Sequence, residues 1–208
     1  MTPLLIAFLG VLLVPLVVAS WRTSLLGLSC QGALMGWIAY RHDHQLSWET
    51  ALTFIDFAGV RMIAAPILLR RVLREQRAAA RNDVIPPNLL SWTLAIVLVV
   101  FAFQFASVVI PRDGEEQTLV AVSTAGLLLG LLVLASQSGP FSQIIGALRI
   151  ENAIALFELG GGSYHAALGI RLGQTCVLLI SVTMFAWYLR TVETVAPPPL
   201  AAPESAVM

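Results

Sequence analysis

The sequence predicts an all-α, polytopic membrane protein, and three observations predict it. The 208 residues are 58% hydrophobic and 12% charged, whereas a soluble domain carries about 25% charged residues to build its polar skin. Mean hydropathy is +0.84. The apolar residues also fall into seven runs close to the roughly 20 residues a helix needs to cross about 30 Å of hydrocarbon. The runs are 2–20, 23–40, 50–69, 88–110, 118–136, 141–159 and 166–189. Backbone groups in hydrocarbon must be satisfied within the segment, so runs of this length are helices. Residues 1–190 form a single transmembrane domain, and 191–208 form a tail rich in Pro and Ala.

The first run ends in Val17-Val18-Ala19-Ser20, as a secretory leader does. It has no basic start and its apolar stretch is long, so it is expected to stay as helix one. The second lies between Arg22 and Arg41. The third carries Asp56 and Arg61 and runs into a loop holding Arg70, Arg71, Arg74, Arg77 and Arg81. Pro86 and Pro87 end that loop and set up the fourth run. The fourth and fifth runs carry no charge. The sixth carries Arg149, Glu151 and Glu158, and a Gly160-Gly161-Gly162 turn leads to the seventh, with Arg171, Gly173 and Gln174. The tail has no apolar period and is expected to be mobile or bound to a partner. No internal repeat is present.

Arginine placement sets the expected orientation, because short Arg-rich loops stay in the cytoplasm. The arginine loop shares its side with Arg22 and Arg190, while Arg41 and Arg112 stand opposite among Asp43, Asp113, Glu115 and Glu116. The amino terminus is therefore placed outside and the carboxyl terminus in the cytoplasm. Trp21, Trp92 and Trp187 at inner ends, with Tyr40, Trp48 and Tyr164 at outer ones, make an aromatic belt.

Several function classes are excluded. Twelve basic residues, all Arg, balance twelve acids, so no basic field exists to hold nucleic acid. Cys30 and Cys176 stand alone as apolar fillers. His42, His44 and His165 fall in outer loops, which argues against axial haem ligation within the spans. A metal site at His42, Asp43 and His44 is weaker than a solvated-loop reading. No nucleophile triad, phosphate loop or zinc motif is present, so an independent enzyme is not expected.

Chemistry is concentrated in six ionisable residues inside the runs: Asp56, Arg61, Arg149, Glu151, Glu158 and Arg171. Each costs about 2.5–3.5 kcal/mol at mid-bilayer, so they must face protein or water. Matching depth makes Arg61 with Glu151 one expected pair, and Glu158 with Arg171 a second. Glu151 and Glu158 are seven apart, on one helix face and about 10 Å along the axis. Asp56 and Arg61 lie about 140° apart around an α-helix, so partners on other helices are expected for them. Glu151 at mid-depth reads as part of a proton or cation path, in which a carboxyl changes protonation as a neighbouring cation moves. For Glu158 and Arg149, nearer helix ends, snorkelling or simple pairing is expected. Fixed ion pairs that hold helices together are the competing reading of the whole set.

The stretch from Gln143 to Asn152, with Gly146 preceding Glu151-Asn152, and the run from Arg61 to Pro66 leading into a basic loop, resemble component E of hydrogenase-4 and its formate hydrogenlyase relatives. That family is related to the K-type membrane subunit of respiratory complex I and to the C-type subunit of multisubunit cation/proton antiporters. The resemblance covers most of the chain loosely and the last three helices most specifically. It implies a non-catalytic subunit of the bacterial inner membrane that sits beside antiporter-like proton-pumping subunits, with no cofactor of its own. A nickel-iron centre and iron-sulfur clusters would belong to partner subunits. Glu151 would take the place of the functional carboxylate, with Asp56, Arg61, Glu158, Arg171, Arg149 and Gln174 along the ion path. The chain departs from the family in its last helix, where Arg171, Gly173 and Gln174 stand in place of an acid. Gln holds water but does not ionise. The alternatives are a purely structural anchor of such a complex, or a free-standing small transporter. The latter would commonly show inverted repeats and broken helices.

Overall fold

The computed structural model describes residues 2–17, 20–42, 48–75, 89–111, 114–136, 139–160 and 168–195. These residues are almost wholly helical and contain no strand. Helix α1 spans Thr2–Val17, α2 Trp21–His42, α4 Leu89–Val109, α5 Glu115–Ser136, α6 Pro140–Gly160 and α7 Leu168–Val195. Between α2 and α4 runs one long helix, α3, over residues 48–75. It consists of Trp48–Phe54, a π-helical segment Ile55–Ala64, and Ala65–Glu75. Four stretches are long and apolar enough to cross a membrane: Thr50–Arg74, Leu89–Val109, Glu115–Ser136 and Leu172–Thr191.

Each predicted run contains a helix, but several ends differ. α3 continues to Glu75, so Arg70, Arg71 and Arg74 are helical rather than in a loop. Arginine is a good helix former, and no Gly or Pro intervenes before Pro86. α5 starts at Glu115, and its two leading acids suit the positive end of the helix dipole. α7 extends into the segment read as tail. Arg77, Arg81, Arg112, the Pro86-Pro87 pair, Asp43, His44, Tyr164, His165 and most of the tail lie outside the described residues.

The wide turns of α3 have a local cause. Pro66 has no N–H to give to the carbonyl of Met62, and its ring crowds the preceding turn. A membrane helix passes such a proline by local π adjustment, and here the Ala65 N–H donates to the Val60 carbonyl, five residues back.

Two apolar cores result. The first joins α1, α2, α4, α5 and α6 through residues such as Phe8, Ile38, Ala95, Val122 and Leu156, and Phe57 of α3 reaches it. The second joins α2, α3, α6 and α7 through Leu28, Leu69, Ile145 and Val182. Each core takes opposite halves of α2 and α3, so these helices are antiparallel, whereas α2 and α6 run the same way. α5 is the central helix, and α4 is peripheral. α4 is fastened by Ala95, Ala102 and Ala106, with Leu98 and Val99 packed partly against the first core, while most of its larger side chains point outward.

Candidate functional site

The boundary between the two cores is polar. On α2 it falls at Gln31, between Leu28 of the second core and Met35 of the first. On α6 it falls at Arg149 and Asn152, between Leu148 and Leu156, and on α3 it falls at Asp56 and Arg61. All three places are near the middle of their helices. Gln31, Arg61, Arg149 and Asn152 are buried, Arg149 and Asn152 at 2% exposure and Gln31 at 0%.

A chain of hydrogen bonds ties three helices together there. Arg61 Nε donates to Asp56 Oδ2 at 3.0 Å. Arg61 Nη1 donates to Asn152 Oδ1 at 2.9 Å, and Asn152 Nδ2 donates to Gln31 Oε1 at 3.1 Å. The guanidinium carbon also stands 5.9 Å from the Phe57 ring centroid, within cation–π range. Gly32 lets α2 reach this place. A Cβ on it would lie 2.6 Å from Met62 N and 2.8 Å from Met62 Cα, so α2 rests directly on the π-helical backbone.

This geometry revises two expectations. Asp56 and Arg61 do pair within one helix, because a turn closed over five residues brings positions five apart onto one face, which an α-helical count does not. Arg61 is consequently engaged by Asp56 and Asn152, and its expected direct bond to Glu151 is not made among the described residues. Glu151 is half-buried and within electrostatic reach of both Arg61 and Asp56. Its Oε2 is buried without a hydrogen-bond partner among the described residues, and so are Asp56 Oδ1 and Gln31 Nε2.

Arg149 does not snorkel. Its Nε and Nη2 are buried without partners among the described residues, because it sits well inside α6 on a face covered by protein. Glu158 accepts both bonds from Gln174 Nε2, at 3.0 and 3.1 Å. The side chain of its expected partner Arg171 lies outside the described residues. α7 packs more on α3 than on α6, despite following α6 in sequence. Gln31 escaped notice in the sequence. Its signal was an amide at the centre of an apolar run, where an unpaired polar group is costly.

Among the described residues no group of three His, Cys, Asp or Glu side chains is placed to hold a metal. Asp43, His44 and the side chain of His42 lie outside them. Comparison of the chain with protein-family models, with curated proteins and with solved structures gives no match in any of the three.

Chemically, the seam offers two carboxyl groups, Asp56 and Glu151, within electrostatic reach of Arg61, with a second buried cation, Arg149, on α6. Each carboxyl has an oxygen not committed to a protein partner. Orphaned buried polar atoms of this kind are ordinarily met by ordered water, and carboxyl groups, amides and water together make a medium in which a proton can move.

Proposed function

We propose that this chain is a non-catalytic subunit of a complex-I-like ion-translocating assembly in a bacterial inner membrane, of the membrane-bound hydrogenase or formate hydrogenlyase type. In this reading all seven helices span the bilayer, with the amino terminus outside and the carboxyl terminus in the cytoplasm. Antiporter-like pumping subunits flank it, and any nickel-iron or iron-sulfur chemistry belongs to partners. Glu151 takes up and releases a proton as Arg61 shifts its weight between Asp56 and Glu151, and Gln31, Asn152 and Gln174 order the water around them.

One observation carries the reading: a mid-helix polar seam, with buried uncommitted carboxyl oxygens, divides two apolar cores. Five exposed arginines at the ends of α2, α3 and α7 that belong to the second core support the orientation, since Arg-rich ends stay in the cytoplasm. Replacing Glu151 by Gln in the assembled complex tests it. Proton or cation translocation, measured in inverted vesicles, falls at least about ten-fold while the complex still purifies intact. An intact complex that pumps at the wild-type rate would remove the proton role. The engagement of Arg61 by both Asp56 and Asn152 favours a second reading, a structural anchor, and that outcome would select it. Identification of the chains that co-purify tests the assembly itself.

A further inference from the structure

Three helix ends meet at one end of the molecule. The amino end of α2 and the carboxyl ends of α3 and α7 are joined there by Leu25, Leu69, Val72, Ala186 and Leu189, with Trp21 packed against them. This end carries Arg22, Arg70, Arg71, Arg74 and Arg190, all exposed. Glu75 and Glu193 belong to the same ends, and their side chains lie outside the described residues. The opposite end is different in kind: its exposed Arg41 is accompanied by Glu115 and Glu116.

Three features narrow the partner. Arg70 and Arg74 are four apart, so they project from one face of α3, with Arg71 beside them. Every cation in the chain is a guanidinium, because there is no lysine, and the guanidinium fork grips two phosphate oxygens at once. Just before these cations along the helix axes the surface is apolar and aromatic. Trp187 is 64% exposed, Tyr188 49%, Met184 59% and Ile67 56%. Exposed Trp and Tyr mark the headgroup level of a bilayer, and the aliphatic surface beyond them suits an acyl chain better than a water-soluble partner.

We propose that this end of the molecule is a binding site for an anionic phospholipid, with the phosphate held by Arg70 and Arg74 and the acyl chains lying along the exposed sides of α3 and α7. The site holds whether or not Glu151 carries a proton.

The full chain, purified in a neutral detergent, is titrated with phosphatidylglycerol, phosphatidylcholine or inorganic phosphate while its thermal unfolding midpoint is followed. Phosphatidylglycerol raises the midpoint, and the other two do not. The double variant Arg70→Gln/Arg74→Gln loses about thirty-fold in apparent affinity for phosphatidylglycerol, the loss expected from two arginines at a membrane surface. Arg41→Gln leaves the response unchanged. Should the double variant fail to fold, Arg70→Lys/Arg74→Lys keeps the charges but not the forks, and it weakens the response several-fold. Equal stabilisation by phosphatidylcholine would overturn the proposal. So would a matching response to inorganic phosphate, which would mean a free-phosphate site. An unaltered phosphatidylglycerol response in the folded arginine variants would overturn it too, and would leave the patch to an acidic protein surface.

Discussion

Helix α6 has two sides that solve opposite problems. Towards α5 it is dry and closely packed: a Cβ on Gly130 would meet Ile150 Cγ1 at 2.6 Å, and one on Gly146 would lie 3.4 Å from the Gly130 carbonyl oxygen. Small residues let membrane helices approach this closely, where van der Waals contact replaces the absent hydrophobic drive. The buried hydroxyl of α5, Ser123, bonds back to its own helix at Leu119 and Val120. Towards α2 and α3 the same helix is polar, and Asn152 is satisfied only through side chains of two other helices. The dry side asks for shape, and the polar side asks for particular atoms. A helix held firmly by the first can keep the second in register.

The contrast yields tests of decreasing size. Gly32 belongs to the polar side, yet what it meets is backbone, which cannot yield. Gly32→Leu should drive α2 from the π-helical segment and cost more than about 3 kcal/mol, read as loss of the folded fraction in detergent unfolding. A stable Gly32→Leu protein would mean that α2 does not rest on α3 as described. Asn152→Leu keeps the volume but strands Arg61 Nη1 and the Gln31 carbonyl. A loss of about 2 kcal/mol is expected, and removing Gln31 as well should add little more, because the pair acts as a unit. Additive losses would show that the hydrogen-bond chain is not coupled. Gly130→Ala is the mildest, at about 1 kcal/mol, since the contact it makes below 3.0 Å is with one side-chain atom, Ile150 Cγ1, and not with backbone. Ile150→Ala removes that Cγ1, so in its background Gly130→Ala should cost little more, and a full additional loss would place the conflict in the backbone.

The two sides also differed in how legible they were. Helices and their approximate limits followed from run length, because the thickness of a bilayer imposes it. That Asp56, Arg61 and Glu151 would be covered, wholly or in part, by protein followed from the cost of charge in hydrocarbon. Their partners did not, because pairing was inferred from an α-helical repeat, and the turns ahead of Pro66 are wider. The proline itself was visible; the direction in which the helix would adapt to it was not. The burial of Arg149 is not legible in the sequence for a related reason. Depth along a helix can be counted from sequence, but the side of the helix that neighbours cover cannot.

α4 ends as strongly apolar and the least covered of the four long apolar helices, with Phe101, Val97 and Val108 facing outward and its fully buried positions all alanine. A segment of that kind partitions out of the insertion channel without help from any neighbour. α6, with three ionisable side chains and too little apolar weight to rank with the four long apolar helices, has no such independence. In a bilayer such a segment would need α2, α3 and α5 to cover its polar and charged side chains, whereas α4 would not.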